Sequence, residues 1–113
     1  MNTHHNINYI EFQAKDLPSV QKFYEAVFGW SFTSYGPDYV AFTDGSLEGG
    51  FFKGTPSAEG NPLVIIYSSN LEASETAVIQ HGGTIVKPIF PFPGGRRFHF
   101  TDPEGNQLAV WSD

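Results

Sequence analysis

The chain has 113 residues, 40% of them hydrophobic and 16% aromatic, with 11 Phe, no Cys and a formal net charge of −6. That length supplies one domain with a modest core, and the absence of Cys excludes disulfides, thiolate catalysis and zinc–cysteine sites. The negative balance excludes a nucleic-acid partner, which needs a basic stripe to displace counterions, and no apolar run approaches the ~20 residues of a membrane span.

Ile7 to Gln13 has strand character, and Asp16 then offers an N-cap side chain with Pro18 tolerated in the first turn. Val20, Phe23, Tyr24 and Val27 fall at i, i+3, i+4 and i+7, one apolar helical stripe that Gly29 closes. Trp30 to Ser34 and Tyr39 to Thr43 read as strands around a Gly36-Pro37-Asp38 turn. Asp44-Gly45-Ser46 then turns into a fourth strand over Leu47 to Lys53. Gly54 to Pro62 is rich in Gly, Pro, Ser and Asn and reads as a linker.

The plan then recurs. Leu63 to Ser68 is a strand, and Leu71 to His81 a helix capped by Asn70 and ended by Gly82-Gly83. Thr84 to Lys87 is the next strand and Pro88 to Gly95 a loop. Arg97 to Thr101 and Gln107 to Trp111 are strands around the turn Asp102-Pro103-Glu104-Gly105-Asn106. A shift of about 54 places lays Asp16-Leu17 on Asn70-Leu71 and Gly29 on Gly83, and Phe42-Thr43-Asp44 reappears as Phe100-Thr101-Asp102. Internal repetition is the strongest organising signal in a sequence. Here it gives a single domain over 1–113, with module one over about 7–53, a linker over about 54–62 and module two over about 63–113.

The segments Phe23-Tyr24 to Val27-Phe28-Gly29-Trp30, His81-Gly82-Gly83 and Phe100 to Asn106 resemble the vicinal oxygen chelate superfamily. That group includes glyoxalase I, bleomycin-resistance proteins, fosfomycin-resistance enzymes and extradiol dioxygenases. The resemblance is nearest to small bacterial glyoxalase-like proteins. It implies an α+β fold of two βαβββ modules whose curled mixed sheets surround a central cavity. The family's enzymes hold a metal with His, Gln or Glu on the first and last strand of each module. Carried over, those positions are Tyr9, Gly49 or Phe51, Leu63 and Ala109. A divalent cation needs oxygen or imidazole donors, and three of the four positions supply no side-chain donor. No metal and no cofactor are expected.

Strand alternation lists the inward side chains as Tyr9, Glu11 and Gln13, then Leu63, Ile65 and Tyr67, then Gln107, Ala109 and Trp111. Pairing Thr101 with Gln107 across the final turn sets His99 opposite Ala109, with Arg97 two residues behind. The resemblance adds that the residue three before the turn aspartate, here His99, commonly touches ligand. Glu11 and His99 are the candidate acid and base. Tyr9, Gln13, Tyr67, Arg97, Gln107 and Trp111 are candidate ligand contacts, with Tyr9 as a donor to a ligand carbonyl and Arg97 as a fork for a carboxylate or phosphate. Against this, Glu11 and Arg97 could form a structural ion pair, Tyr9, Tyr67 and Trp111 could be plain core, and His4 and His5 read as a solvated tail.

Two functions follow. A small-molecule binder resembling the bleomycin-resistance branch, which sequesters a cationic drug in an acidic aromatic groove, suits the charge and the absent ligands. An enzyme, metal-free or a metal-dependent lyase or dioxygenase, is the alternative. A homodimer follows from the resemblance. The N-terminus, Met1-Asn2-Thr3-His4-His5, lacks the charged and apolar regions of a signal peptide, so a cytoplasmic location is the expectation.

Overall fold

The computed structural model of the chain describes residues 2–55 and 61–113. It divides into two units, Tyr9–Pro62 and Met1–Asn8 with Leu63–Asp113. Of the linker expected over 54–62, residues 56–60 lie outside the described residues.

The first unit runs β1 (Ile7–Ala14), α1 (Leu17–Phe28), β2 (Ser31–Ser34), β3 (Tyr39–Thr43) and β4 (Glu48–Lys53), with Ile7 and Asn8 counted in the other unit. Asp16 caps α1 as its spacing predicts: the carboxylate accepts the Ser19 N–H at 3.1 Å. Gly29 ends the helix at φ +73°, the left-handed conformation that favours glycine. β2, β3 and β4 pair antiparallel in sequence, and β4 pairs parallel with β1. Leu17, Val40, Phe42 and Phe51 form the buried core beneath α1, with Phe12, Val20, Tyr24 and Trp30 packed against it. Trp30 is stacked between Tyr24 and Phe42, 4.6 Å from each ring.

The expected apolar stripe of α1 is narrower than its sequence. Val20 and Tyr24 reach the sheet, but Phe23 and Val27 remain 54% and 55% exposed. Leu17, Val20 and Tyr24 form one i, i+3, i+7 row. The Phe23–Val27 row lies beside it, off the line of contact.

The second unit runs β5 (Leu63–Tyr67), α2 (Leu71–Gln80), β6 (Thr84–Phe92), β7 (Gly95–Thr101) and β8 (Gln107–Ser112). β6, β7 and β8 pair antiparallel in sequence, and β8 pairs parallel with β5. Asn70 caps α2 by accepting the Ala73 N–H. Here the left-handed residue is Gly82 (φ +97°), one place before the position that the repeat assigns. Gly83 serves a different end: a Cβ there would lie 2.5 Å from Val78 Cγ1. Leu71, Phe98 and Val110 are the buried core under α2. Both units thus follow the βαβββ order of an α+β fold. Among the described residues no helix is long and apolar enough to cross a membrane.

One expectation fails. Pro88 to Phe92, taken for loop, belongs to β6, because this strand lies at the sheet edge and its ladder is shifted between Ile85 and Lys87 and again between Lys87 and Phe90. An edge or a bulge is where a strand tolerates the donor that proline lacks. His4 and His5 are exposed, as a solvated tail implies, and are also hydrogen-bonded. His4 Nδ1 accepts the Ser69 N–H at 2.9 Å, and the His5 N–H donates to the Tyr67 carbonyl at 2.7 Å.

Candidate functional site

Alternation separates the two faces of each sheet. In the first unit Phe12, Ala14, Val40, Phe42 and Phe51 turn toward α1. Tyr9, Glu11 and Gln13 of β1, Tyr39 of β3, and Glu48, Gly50 and Phe52 of β4 therefore share the opposite, helix-free face.

That face carries a hydrogen-bonded chain of three side chains. Tyr39 donates its hydroxyl proton to Glu11 Oε2 at 3.2 Å. Its oxygen must then accept from Tyr9, 2.5 Å away. Tyr9 therefore has acceptor capacity left and no proton, the reverse of the donor role expected for it. Burial pushes both phenols above the usual tyrosine range. At Tyr39 the bond to Tyr9 and the Glu11 charge add to the rise. Both hydroxyls stay protonated at physiological pH, so the cluster is a fixed set of dipoles around the buried Glu11 (6% exposed). Gly50 makes the arrangement fit, since a Cβ there would lie 2.0 Å from Tyr39 Oη and 2.8 Å from Tyr9 Oη. The Gln13 N–H is taken by Asn61 Oδ1 at 3.2 Å.

Tyr39 and Gly50 are absent from the sequence-derived site. The signal for Gly50 is the Gly49-Gly50 pair inside a strand, which marks close approach by a neighbour. The ladder also corrects one carried-over ligand position. Gly49 and Phe51 turn toward α1, Phe51 being core at 2% exposure, while Glu48 is the residue paired with Tyr9. Gly49 and Phe51 are thus one residue out of step with the helix-free face, and a shift of one exchanges the faces of a strand. Leu63 and Ala109 offer no donor, and the Tyr9 hydroxyl proton is committed to Tyr39. The residues at these positions do not fit a divalent cation.

In the second unit Ile66, Phe98, Phe100 and Val110 turn toward α2. Tyr67, Gln107, Trp111, Arg97 and His99 then share the helix-free face, and the expected pairings Thr101–Gln107 and His99–Ala109 are both present. Adjacent arginines divide between the faces. Arg96 forms a 2.5 Å ion pair with Glu72 in the first turn of α2, whereas Arg97 lies over the rings of Phe90 and Phe92, its guanidinium carbon 5.7 Å from each. Tyr67 donates to Asp113 Oδ1 at 2.6 Å and Trp111 Nε1 donates to Asn8 at 3.0 Å. With their polar ends held, these two residues offer ring surface, at a centroid distance of 5.2 Å. Phe90 and Phe92, expected in a loop, extend that aromatic wall: Phe92 lies 6.2 Å from Trp111, and Phe90 lies 5.7 Å from His99.

His99 is 5% exposed. Burial, reinforced by the charges of Arg97 and Lys87, lowers its pKa to about 4, so it is a neutral imidazole at pH 7. Gln107 Nε2, an amide donor, stands 3.5 Å from Nδ1, which makes Nδ1 the acceptor and leaves the ring proton on Nε2.

Two clefts open on the helix sides. One of about 490 Å³ lies along α1 beside Ser34, Gly36 and Pro37. The other, of about 290 Å³, lies under α2 against Ile66, Val78 and Phe100. Neither gathers the buried polar groups that the helix-free faces carry. Among the described residues no cluster of three or more His, Cys, Asp or Glu could hold a metal ion.

The paired modules and the pattern of their faces define a glyoxalase-type fold. Residues 6–110 match the model of the Glyoxalase/Bleomycin resistance protein/Dioxygenase superfamily, and the chain belongs to that superfamily. It is similar in structure to methylmalonyl-CoA epimerase from Mycobacterium tuberculosis (TM-score 0.77, 10% identity, 99% of this chain and 91% of the other). A structure described as NAD-dependent benzaldehyde dehydrogenase from Legionella pneumophila is also similar (0.73, 14%, 93% and 97%). The Mn(II)-bound glyoxalase from Novosphingobium aromaticivorans matches at 0.71 and 18% identity over 100% of this chain, which spans 40% of that larger protein. At these identities the likeness is one of fold. No curated protein sequence matches the chain.

Proposed function

We propose that this chain is a small-molecule-binding member of its superfamily that holds its ligand with aromatic surface and side-chain hydrogen bonds and without a divalent metal. One observation carries the reading: the polar groups of the helix-free faces are organised by hydrogen bonds to other side chains, as in the Tyr9–Tyr39–Glu11 chain. Aromatic lining with a few convergent polar groups is the usual make-up of a small-molecule site. Tyr67, Trp111, Phe90 and Phe92 supply such a lining in the second unit.

In this reading Glu11 on the first unit and His99 on the second are binding groups rather than groups that move protons. A general base works best with a pKa near the working pH, and an imidazole held near 4 is a weak one. Tyr9 and Gln13 are the further contacts on the first unit, and Gln107 and Arg97 on the second. Superfamily members often form dimers, and a homodimer belongs to the same proposal, with sedimentation as its check.

The test is a fluorescence titration with a set of small aromatic fragments, with and without a chelator, alongside metal analysis of the purified protein. Trp30 sits in the aromatic stack beneath α1 and serves as internal reference. The expected result is a change in emission that Trp111→Phe abolishes and the chelator leaves untouched. Stoichiometric bound metal, with binding lost on its removal, would refute the proposal.

A further inference from the structure

Phe90 is the meeting point of three polar groups on the helix-free face of the second unit. Lys87 Nζ lies 5.7 Å from its centroid, the Arg97 guanidinium carbon 5.7 Å, and the His99 ring 5.7 Å. Lys87 and His99 are direct partners across the β6–β7 ladder, as are Phe90 and Arg97. Two formal positive charges thus converge on a buried imidazole, and both lower its pKa.

The imidazole is incompletely satisfied. Nδ1 is met by Gln107, while Nε2 is buried with no hydrogen-bond partner among the described residues. Nε2 belongs to the distal half of the ring, away from Cβ, on a side chain whose ring lies 5.7 Å from Phe90 and whose strand partner is Lys87. An unpaired buried donor is costly, and buried polar groups are nearly always bonded. A donor N–H next to two cations calls for an acceptor that also carries negative charge. A flat aromatic ring beside it calls for a flat group.

We infer that this face binds the carboxylate of an aromatic acid, with His99 Nε2–H donating to a carboxylate oxygen, Lys87 and Arg97 supplying the positive field, and Phe90 stacking on the ligand's ring. The inference rests on the small-molecule reading above and narrows it to a ligand whose charge is opposite to that of a cationic drug. Access is through β6, which is an edge strand with two shifts in its ladder beside Phe90. Lys87 on that strand is exposed.

Three probes with one ring and different charge decide the matter: benzoate, benzylamine and benzyl alcohol, titrated into the full chain by NMR. Benzoate is expected to bind best, and to shift the His99 side-chain nitrogen signals from a starting state with the proton on Nε2. His99→Phe keeps a flat ring but removes the donor and should weaken benzoate roughly tenfold or more, the loss expected for a hydrogen bond to a charged group. His99→Gln restores a donor and should recover part of it. Should His99→Phe fail to fold, Lys87→Gln at the exposed strand edge should weaken benzoate several-fold and reduce the salt dependence of binding. Benzylamine or benzyl alcohol binding as well as benzoate, a ring proton found on Nδ1, or benzoate affinity unchanged in the variants would each overturn the inference and leave the binding reading standing. Failure of all three probes to bind would overturn both.

Discussion

Gly50→Ala probes the packing on which the Tyr9–Tyr39–Glu11 chain depends. The added methyl would stand 2.0 Å from Tyr39 Oη and 2.4 Å from Tyr39 Cζ, distances that real Cβ atoms do not reach. Its backbone approach to β1 and β3 is fixed by the ladders on both sides, so the tyrosine must move. Overpacking of this kind costs about 1–3 kcal/mol. Displacing Tyr39 also breaks its bond to the Glu11 carboxylate, worth about 1.5–3 kcal/mol for a charged acceptor. Alanine regains roughly 0.5–1 kcal/mol of backbone entropy. A net loss of about 1.5–5.5 kcal/mol follows. At roughly 4 °C per kcal/mol for a domain of this size, the lower end already lowers Tm by about 6 °C. Urea unfolding of four proteins (wild type, Gly50→Ala, Tyr39→Val and the double variant) separates this cause from a general intolerance of side chains in β4. With the Tyr39 ring gone the two shortest approaches disappear and Tyr9 Oη at 2.8 Å remains, so the cost should fall by more than half. Equal cost in both backgrounds would refute the account.

Three other outcomes are expected. Tyr39→Phe leaves the buried Glu11 short of a donor and should destabilise the chain by about 1–3 kcal/mol in urea; an unchanged midpoint would place the Glu11 carboxylate elsewhere. The lowered His99 pKa means that, between pH 6.5 and about 4, the unfolded chain binds a proton the folded chain refuses, so stability falls as pH drops through that window and levels off below it. Relative to His99→Gln, the wild type should lose up to about 3 kcal/mol across the window, and parallel pH profiles of the two would be contrary. Gly82→Ala, at φ +97°, should cost about 1–2 kcal/mol and Gly82→Asn less, since asparagine tolerates the left-handed region; equal midpoints would remove the strain argument.

Both helix caps, the βαβββ order and the pairing of His99 with Ala109 were legible in the sequence. Each rests on contacts a few residues apart: Asp16 with Ser19, Asn70 with Ala73, Thr101 with Gln107 across one turn. The failures lie where the deciding contact is distant or depends on parity. Nothing near Pro88 and Pro91 announces an edge strand, because an edge is defined by what fails to pair beside it. The face of β4 depended on counting a turn whose length the repeat does not preserve, and one residue decided it. Tyr39 was read as strand, but its partners Tyr9 and Glu11 are 30 and 28 residues away.

Net charge alone does not fix the sign that a ligand meets. A total of −6 suggests an acidic groove for a cation, yet charge acts over a Debye length of about 8–10 Å in physiological salt, so the sign that a ligand meets is set by its near neighbours. Around Phe90 those neighbours are Lys87 and Arg97. Around Tyr39 they are Glu11 and acceptor oxygen. The near neighbours of Phe90 and of Tyr39 thus differ in charge, each within its own βαβββ unit. The repeat that duplicated the backbone did not duplicate the electrostatics. Reversing the charge beside Phe90, by Lys87→Glu, should therefore abolish benzoate binding, although it makes the chain's net charge only slightly more negative. Benzoate affinity kept in that variant would show that the near neighbours do not set the sign.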